Sequence, residues 1–332
     1  MAKSIVKVNF KKGDLIDGRY QVVKKLGEGG CGTVFRCKDR KLDDIDVAVK
    51  MLEDSTEMPR FRREAKVMKG TRSEHVVQLI KSGIHEKAHP YLALEFMDGG
   101  SIRELMDRRK RLEPPEAAWI LIQAIRGLKA SRTVHRDLKP ENLLLAKGDK
   151  GRGFDLIPGD TDTGALVKVA DFGLAKSRGG DSMSLTHSGQ VMGTPLYMSP
   201  EQCRNTKRAS VKTDIYAIGV IFFEMVTGKP PFDANNVYDI MAKHCNEEPK
   251  TGRLPKGAKE VIERCLKKKP GDRYPTLAAL ERELEEVAGL RSQDSLASGG
   301  GILFFIVFAI LLAGGAVALY LFRDQIPFLP NH

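Results

Sequence analysis

The sequence is poor in cysteine: of its 332 residues only five, Cys31, Cys37, Cys203, Cys245 and Cys265, are cysteines, and no two form a C-x-x-C pair. Such scatter offers neither a zinc site nor a disulfide frame, and it suits a reducing cytosol. The N-terminal stretch MAKSIVKVNFKKGDLIDG has no apolar run longer than two residues, so the continuous core of a secretory signal is missing. No internal repeat is visible. Lys and Arg exceed Asp and Glu by 54 to 43, a formal net charge of +11. These cations are spread among acids without interleaved aromatic runs, and no helix-turn-helix or zinc-finger pattern accompanies them. The surplus therefore reads as a solvated surface and a nucleic-acid partner is excluded. Apolar residues make 42% and charged residues 29% of the chain, a globular composition that rules out a disordered or polytopic membrane protein.

One long apolar run is present, near the C-terminus. Residues 302–322, ILFFIVFAILLAGGAVALYLF, carry no charge over 21 residues. At ~1.5 Å per residue this reaches roughly 31 Å, the thickness of a bilayer core. Tyr320 and Arg323 close it as interfacial anchors would. Two small-xxx-small pairs, Ala309/Ala313 and Gly314/Ala318, permit close packing with a second helix. A transmembrane helix is expected there, followed by a short tail over 323–332. Before it, residues 289–301 (GLRSQDSLASGGG) have linker composition with a coil dimension of about 20 Å. Leu277–Ala288 shows helical spacing and closes the body.

Within that body, residues 20–38 place alternating and β-branched residues on both sides of a glycine cluster, Gly27-x-Gly29-x-x-Gly32-x-Val34, which predicts strand, loop, strand. Glycines allow backbone amides to approach phosphate oxygens without a Cβ in the way. A dinucleotide-binding version would open a helix, whereas TVFRCK continues as strand. Val47-Ala48-Val49-Lys50 is then a strand ending in lysine, and Phe61, Ala65 and Met68 begin a helix that carries Glu64. A strand lysine held by a helix carboxylate can reach the α- and β-phosphates of a nucleotide.

The most specific segment is His135-Arg136-Asp137-Leu138-Lys139-Pro140-Glu141-Asn142. Transfer of a phosphoryl group to a hydroxyl needs an oriented nucleophile, metal ligands and charge neutralisation. Asp137 can accept the hydroxyl proton, Lys139 puts a cation near the transferred group, and Asn142 offers a neutral oxygen to Mg²⁺. Downstream, the strand Val167–Ala170 delivers a second oxygen ligand, Asp171, within Asp171-Phe172-Gly173.

In order and spacing these motifs resemble the eukaryotic-type protein kinases, and Gly193-Thr194-Pro195-Leu196-Tyr197-Met198-Ser199-Pro200-Glu201-Gln202 is most similar to bacterial serine/threonine members. The resemblance implies an α+β, bilobal fold: a kinase domain over 19–288, with an N-lobe at 19–95 and a C-lobe at 98–288, after an N-terminal extension over 1–18. It implies ATP and Mg²⁺ (Mn²⁺ as a substitute), with protein Ser/Thr hydroxyls as substrates. The implied nucleotide contacts are Leu26, Gly27, Glu28, Gly29, Gly30, Cys31, Gly32, Val34, Ala48, Lys50, Glu95, Met97 and Leu144, with Leu94 as gatekeeper of the hinge. Asp214 matches the residue that braces the catalytic loop, and Arg273 the partner of Glu201. Lys139 follows the serine/threonine pattern, and Thr194 matches a residue that contacts the catalytic aspartate and lysine. Thr186 and Ser188 match loop-phosphorylation positions, with Arg136 as the phosphate holder. Three features depart from the family pattern: a shortened approach KASRTV before His135, a glycine- and aspartate-rich insert at Gly148–Gly164 expected in a surface hairpin, and Ser199 in place of an alanine. The expected protein is a single-pass membrane kinase whose domain faces the cytoplasm, with homodimers favouring phosphorylation in trans. The alternative is a membrane-tethered pseudokinase scaffold; such scaffolds usually lose at least one of Lys50, Glu64, Asp137, Asn142 and Asp171, and all are present. A small-molecule phosphotransferase would lack the Pro200-Glu201 anchor.

Overall fold

The computed structural model describes residues 9–29, 32–52, 58–86, 89–147, 154–162, 164–172, 195–205 and 208–291. The chain divides into one unit over 1–288 and a second over 289–332. Among the described residues no helix is long and apolar enough to cross a membrane; the run expected to do so, 302–322, lies outside them.

The N-terminal half of the first unit is a six-stranded antiparallel sheet in the order β1–β2–β3–β4–β6–β5. The strands are β1 (Leu15–Ile16), β2 (Tyr20–Gly29), β3 (Gly32–Asp39), β4 (Ile45–Met51), β5 (Leu79–His85) and β6 (His89–Glu95). Period-two alternation decides which side chains serve the core and which face the other way. On β3, Phe35 and Cys37 are buried, and on β4 Val47, Val49 and Met51 join them, with Tyr20, Val22 and Tyr91. Val34, Ala48 and Lys50 consequently share the opposite face, with Val34 paired directly to Lys50. Strand β1 precedes residue 19, where the kinase domain is expected to begin. Ile16 is fully buried and pairs with Tyr20, so the sheet begins inside the expected N-terminal extension. Helix α1 (Met58–Gly70) lays Phe61 and Ala65 against Leu52 and Leu92, which fixes the direction of Glu64.

The second half is mostly helical. It comprises α2 (Ile102–Arg109), α3 (Pro114–Ser131), the strand pair β7 (Leu143–Lys147) and β8 (Ala165–Val169), α4 (Pro200–Arg204), α5 (Val211–Thr227), α6 (Val237–Asn246), α7 (Lys256–Cys265) and α8 (Leu277–Val287). Helices α3 and α5 are apolar nearly all round and form the middle of the core. Ser210 starts α5 with a reciprocal cap, its side chain and that of Thr213 each taking part. Glu281 of α8 accepts from Arg126 at 3.2 Å and Lys129 at 2.6 Å, tying it to α3. The insert Gly148–Gly164 joins the antiparallel strands β7 and β8, so it is the loop of a hairpin, although residues 148–153 and 163 are outside the described set.

The halves meet through residues 75–77. The Val77 N–H donates to Val169 O at 3.0 Å and the Val169 N–H to His75 O at 2.9 Å. Gly127 of α3 allows this, since a Cβ there would lie 2.3 Å from the His75 carbonyl oxygen.

Candidate active site

The β7–β8 register puts the two candidate metal ligands side by side. Leu143 pairs with Val169, so Asn142 lies just before one strand and Asp171 just after the other. The Ala170 N–H donates to Asn142 O at 2.9 Å and closes the gap. Asp171 stands in the left-handed region, φ 56°, at the point where the chain leaves β8. From the sheet above, Lys50 Nζ lies 3.1 and 3.4 Å from the two Glu64 carboxylate oxygens and donates to Asp171 Oδ1. One lysine thereby joins the sheet, α1 and the end of β8. Burial, opposed by Lys50, pushes Glu64 up to about 7. For Asp171 burial also raises the pKa, but Lys50 outweighs it and the net direction is down.

The loop around Asp137 is held from below. Asp214 of α5 accepts the His135 N–H at 2.8 Å and the Arg136 N–H at 2.9 Å. His135 Nε2 lies 3.0 Å from Ala170 O, linking the loop to β8. Asn142 Nδ2 donates to Asp137 O at 2.8 Å, which fixes the amide and leaves Oδ1 as its remaining oxygen. Lys139 Nζ is 3.5 Å from Asp137 Oδ2, and the Asp137 side chain is half exposed. The shortened approach is absorbed at the end of α3: Arg132 turns the chain at φ 52° and Ser131 Oγ donates to Leu128 O at 2.8 Å.

Val34 and Ala48 are half-buried on the sheet face that also bears Lys50, while Leu26 is exposed on β2. Leu94, Met97 and Leu144 pack against the edge of the main core. Glu28 pairs with Lys25. Glu95 is a different matter. Its carboxylate accepts from Lys168 at 2.9 and 2.8 Å and from the Gln78 N–H at 2.7 Å, so any role toward a ligand falls to its backbone. Gly30, Cys31, Gly173, Thr186, Ser188 and Thr194 lie outside the described residues.

Arg273 is wholly buried and donates to both Glu201 oxygens at 2.8 Å. Burial raises the Glu201 pKa, but the guanidinium outweighs it and the net direction is down. Three contacts escaped the sequence reading. Lys168 could have been noticed, because a lysine inside the apolar strand ALVKV must find a partner or be expelled. Arg103 of α2, which reaches Glu224 at 3.0 Å and Glu141 at 3.2 Å and donates to Tyr197, and Gln202 of α4 carry no local pattern that announces them.

Residues 20–284 match the family model described as the protein kinase domain. The chain belongs to the protein kinase family. Its kinase domain is similar to curated serine/threonine-protein kinases: pkn3 of Myxococcus xanthus (32% identity over 83% of this chain and 51% of that protein), PrkC of Bacillus subtilis (31%, 82% and 41%) and PknL of Mycobacterium tuberculosis (32%, 82% and 67%). The chain thus spans between two fifths and two thirds of the length of these relatives.

Proposed function

We propose that this chain is a membrane-tethered protein serine/threonine kinase that transfers the γ-phosphate of ATP to protein hydroxyls. The observation that carries the reading is the joining of Lys50 to Glu64 and Asp171 beside the Asp137–Asn142 loop. The donors fit Mg²⁺: Asp171 and Asn142 offer one carboxylate and one amide oxygen, and among the described residues no cluster of three or more His, Cys, Asp or Glu forms a cage. Mg²⁺ characteristically takes one or two protein oxygens and completes its shell with phosphates and water. When bound, the ion neutralises charge developing on the phosphates. Lys50, held by Glu64, balances the α- and β-phosphates, Asp137 orients the substrate hydroxyl and accepts its proton, and Lys139 stabilises the transferred group. The serine/threonine preference rests on Lys139 and on the relatives' printed activity.

The apolar run 302–322 anchors the kinase with its domain in the compartment that holds ATP, the cytoplasm. Thr186, Ser188 or both, Thr186 first, are phosphorylated in trans between neighbouring copies. Arg136 supports this part: its Nε is buried without a hydrogen-bond partner among the described residues, so an added phosphate would find a charged donor.

Incubation of the full chain in vesicles with γ-labelled ATP, Mg²⁺ and a generic protein substrate tests the reading. Transfer is expected to serine and threonine and to vanish in Asp171→Asn and Lys50→Met. Transfer by Asp171→Asn at the parental rate would refute the mechanism, and extraction of the chain by alkaline carbonate would refute the anchor.

A further inference from the structure

Arg136 stands in the left-handed region at φ 67°, where a residue with a Cβ is strained and persists only if its surroundings over-determine it. Both peptide groups flanking its Cα are held, and by different helices. Its N–H donates to Asp214 Oδ1 of α5 at 2.9 Å. Its carbonyl accepts from Gln202 Nε2 of α4 at 2.7 Å. That carbonyl belongs to the peptide bond leading into Asp137, whose plane determines how the Asp137 side chain leaves the loop.

The other end of the Gln202 amide is committed as well. Oε1 accepts from the Ser199 N–H at 3.1 Å and from Ser199 Oγ–H at 3.2 Å. With the oxygen so engaged, the nitrogen must be the atom facing the Arg136 carbonyl. The root of α4 is itself fixed, because Glu201 is gripped by Arg273 through two bonds of 2.8 Å. Gln202 therefore runs from a rigid anchor to the peptide that precedes the proton acceptor.

We propose that Gln202 is a positioning residue for phosphoryl transfer, holding the Arg136–Asp137 peptide plane so that the Asp137 carboxylate meets the substrate hydroxyl in line. The proposal rests on the kinase reading above. Gln202 touches neither nucleotide nor hydroxyl; the proton still passes to Asp137. Its amide bonds Arg136 and Ser199 and reaches none of Lys50, Asn142 and Asp171, so its loss falls on kcat and spares KM for ATP.

Three variants of the full chain separate positioning from mere capping of α4. Gln202→Glu has the same length and keeps an oxygen for the Ser199 N–H, but turns a carboxylate oxygen toward the Arg136 carbonyl. Gln202→Met removes both links. Ser199→Ala removes one hydroxyl from the cap and leaves the bond to Arg136. Steady-state phosphorylation is measured beside the parent after the same preincubation with ATP. With a half-buried carbonyl left unpaired, kcat is expected to fall about tenfold in both Gln202 variants, while KM for ATP stays within about twofold and Ser199→Ala keeps parental kcat. A Gln202→Glu chain with parental kcat overturns the proposal. So does a loss appearing in KM for ATP, or a Ser199→Ala chain impaired as deeply as Gln202→Glu. A parent that transfers no phosphate refutes the kinase reading instead.

Discussion

Arg273 gives the strongest single test of how the C-terminal half is held together. Its guanidinium is fully buried and serves Glu201 twice, at 2.8 Å each, and the carbonyls of Lys267 and Lys212 at 2.8 Å and of Lys268 at 3.3 Å. Thr213 Oγ1 adds a bond of 3.0 Å to Glu201 Oε1. Arg273→Met fills similar space but leaves a buried carboxylate without its counter-charge. Breaking one side of such a pair costs about 3–5 kcal/mol, a large share of the ~5–15 kcal/mol that holds a domain folded. The cost depends on pH in a definite sense. In the parent Glu201 has a lowered folded pKa, so its contribution is present above the unfolded value and lost as pH falls through the folded one. In the variant burial is opposed only by the remaining hydrogen bonds to Glu201 and the folded pKa moves up, so the penalty is full at neutral pH and relieved toward acid. Trp119, the sole tryptophan, is buried in α3, and its fluorescence reports urea unfolding of residues 1–290. The gap between parent and variant should be widest at pH 7.5 and shrink by pH 5. The double variant Arg273→Met/Glu201→Met should recover the part of the loss that comes from the stranded charge, while the carbonyls of Lys212, Lys267 and Lys268 stay unpaired. A gap equal at both pH values, or a double variant as unstable as the single one, refutes the reasoning.

The Val47–Lys50 strand was legible because strand alternation alone decides which way its side chains point, and the His135–Asn142 loop because it concentrates its polar residues within a few positions. Val34, Ala48 and Lys50 share a face for that reason. The bilobal fold was implied by the resemblance to protein kinases that these motifs carry. What stayed hidden is made by residues distant in sequence. Gln202 meets Arg136 across 66 positions and Arg103 meets Glu224 across 121, so no local pattern could connect them. β1 escaped because two residues are too short a run to show alternation, and Ile16 is buried only once the sheet exists.

Gly127→Ala should destabilise residues 1–290 by about 1–3 kcal/mol through overpacking, although alanine is the better helix former; the added Cβ would lie 2.3 Å from the His75 oxygen and 3.0 Å from Val169 Cγ2, and a thermal midpoint unchanged or raised would contradict it. Mass spectrometry of the full chain after incubation with ATP should find phosphate on Thr186, Ser188 or both, with the double alanine variant much less active; full activity with both sites unmodified would exclude this switch. The last expectation concerns His244, which is fully buried between Tyr216 and the Phe232 ring, its Nδ1 2.9 Å from the Tyr216 hydroxyl. Burial first, and then the nearby Lys268 ammonium, push its pKa down from 6.5 to about 4. The fold thus favours the neutral ring, whose contribution is complete above the unfolded pKa and drains away as pH falls from 6.5 toward 4. At pH 5 the unfolded chain already holds the proton while the folded chain refuses it, which removes about 2 kcal/mol of stability. His244→Gln keeps a polar partner for Tyr216 and has nothing to titrate, so its urea midpoint should fall less than the parent's between pH 7.5 and 5. Equal falls in the two proteins would show that His244 is not the group that titrates.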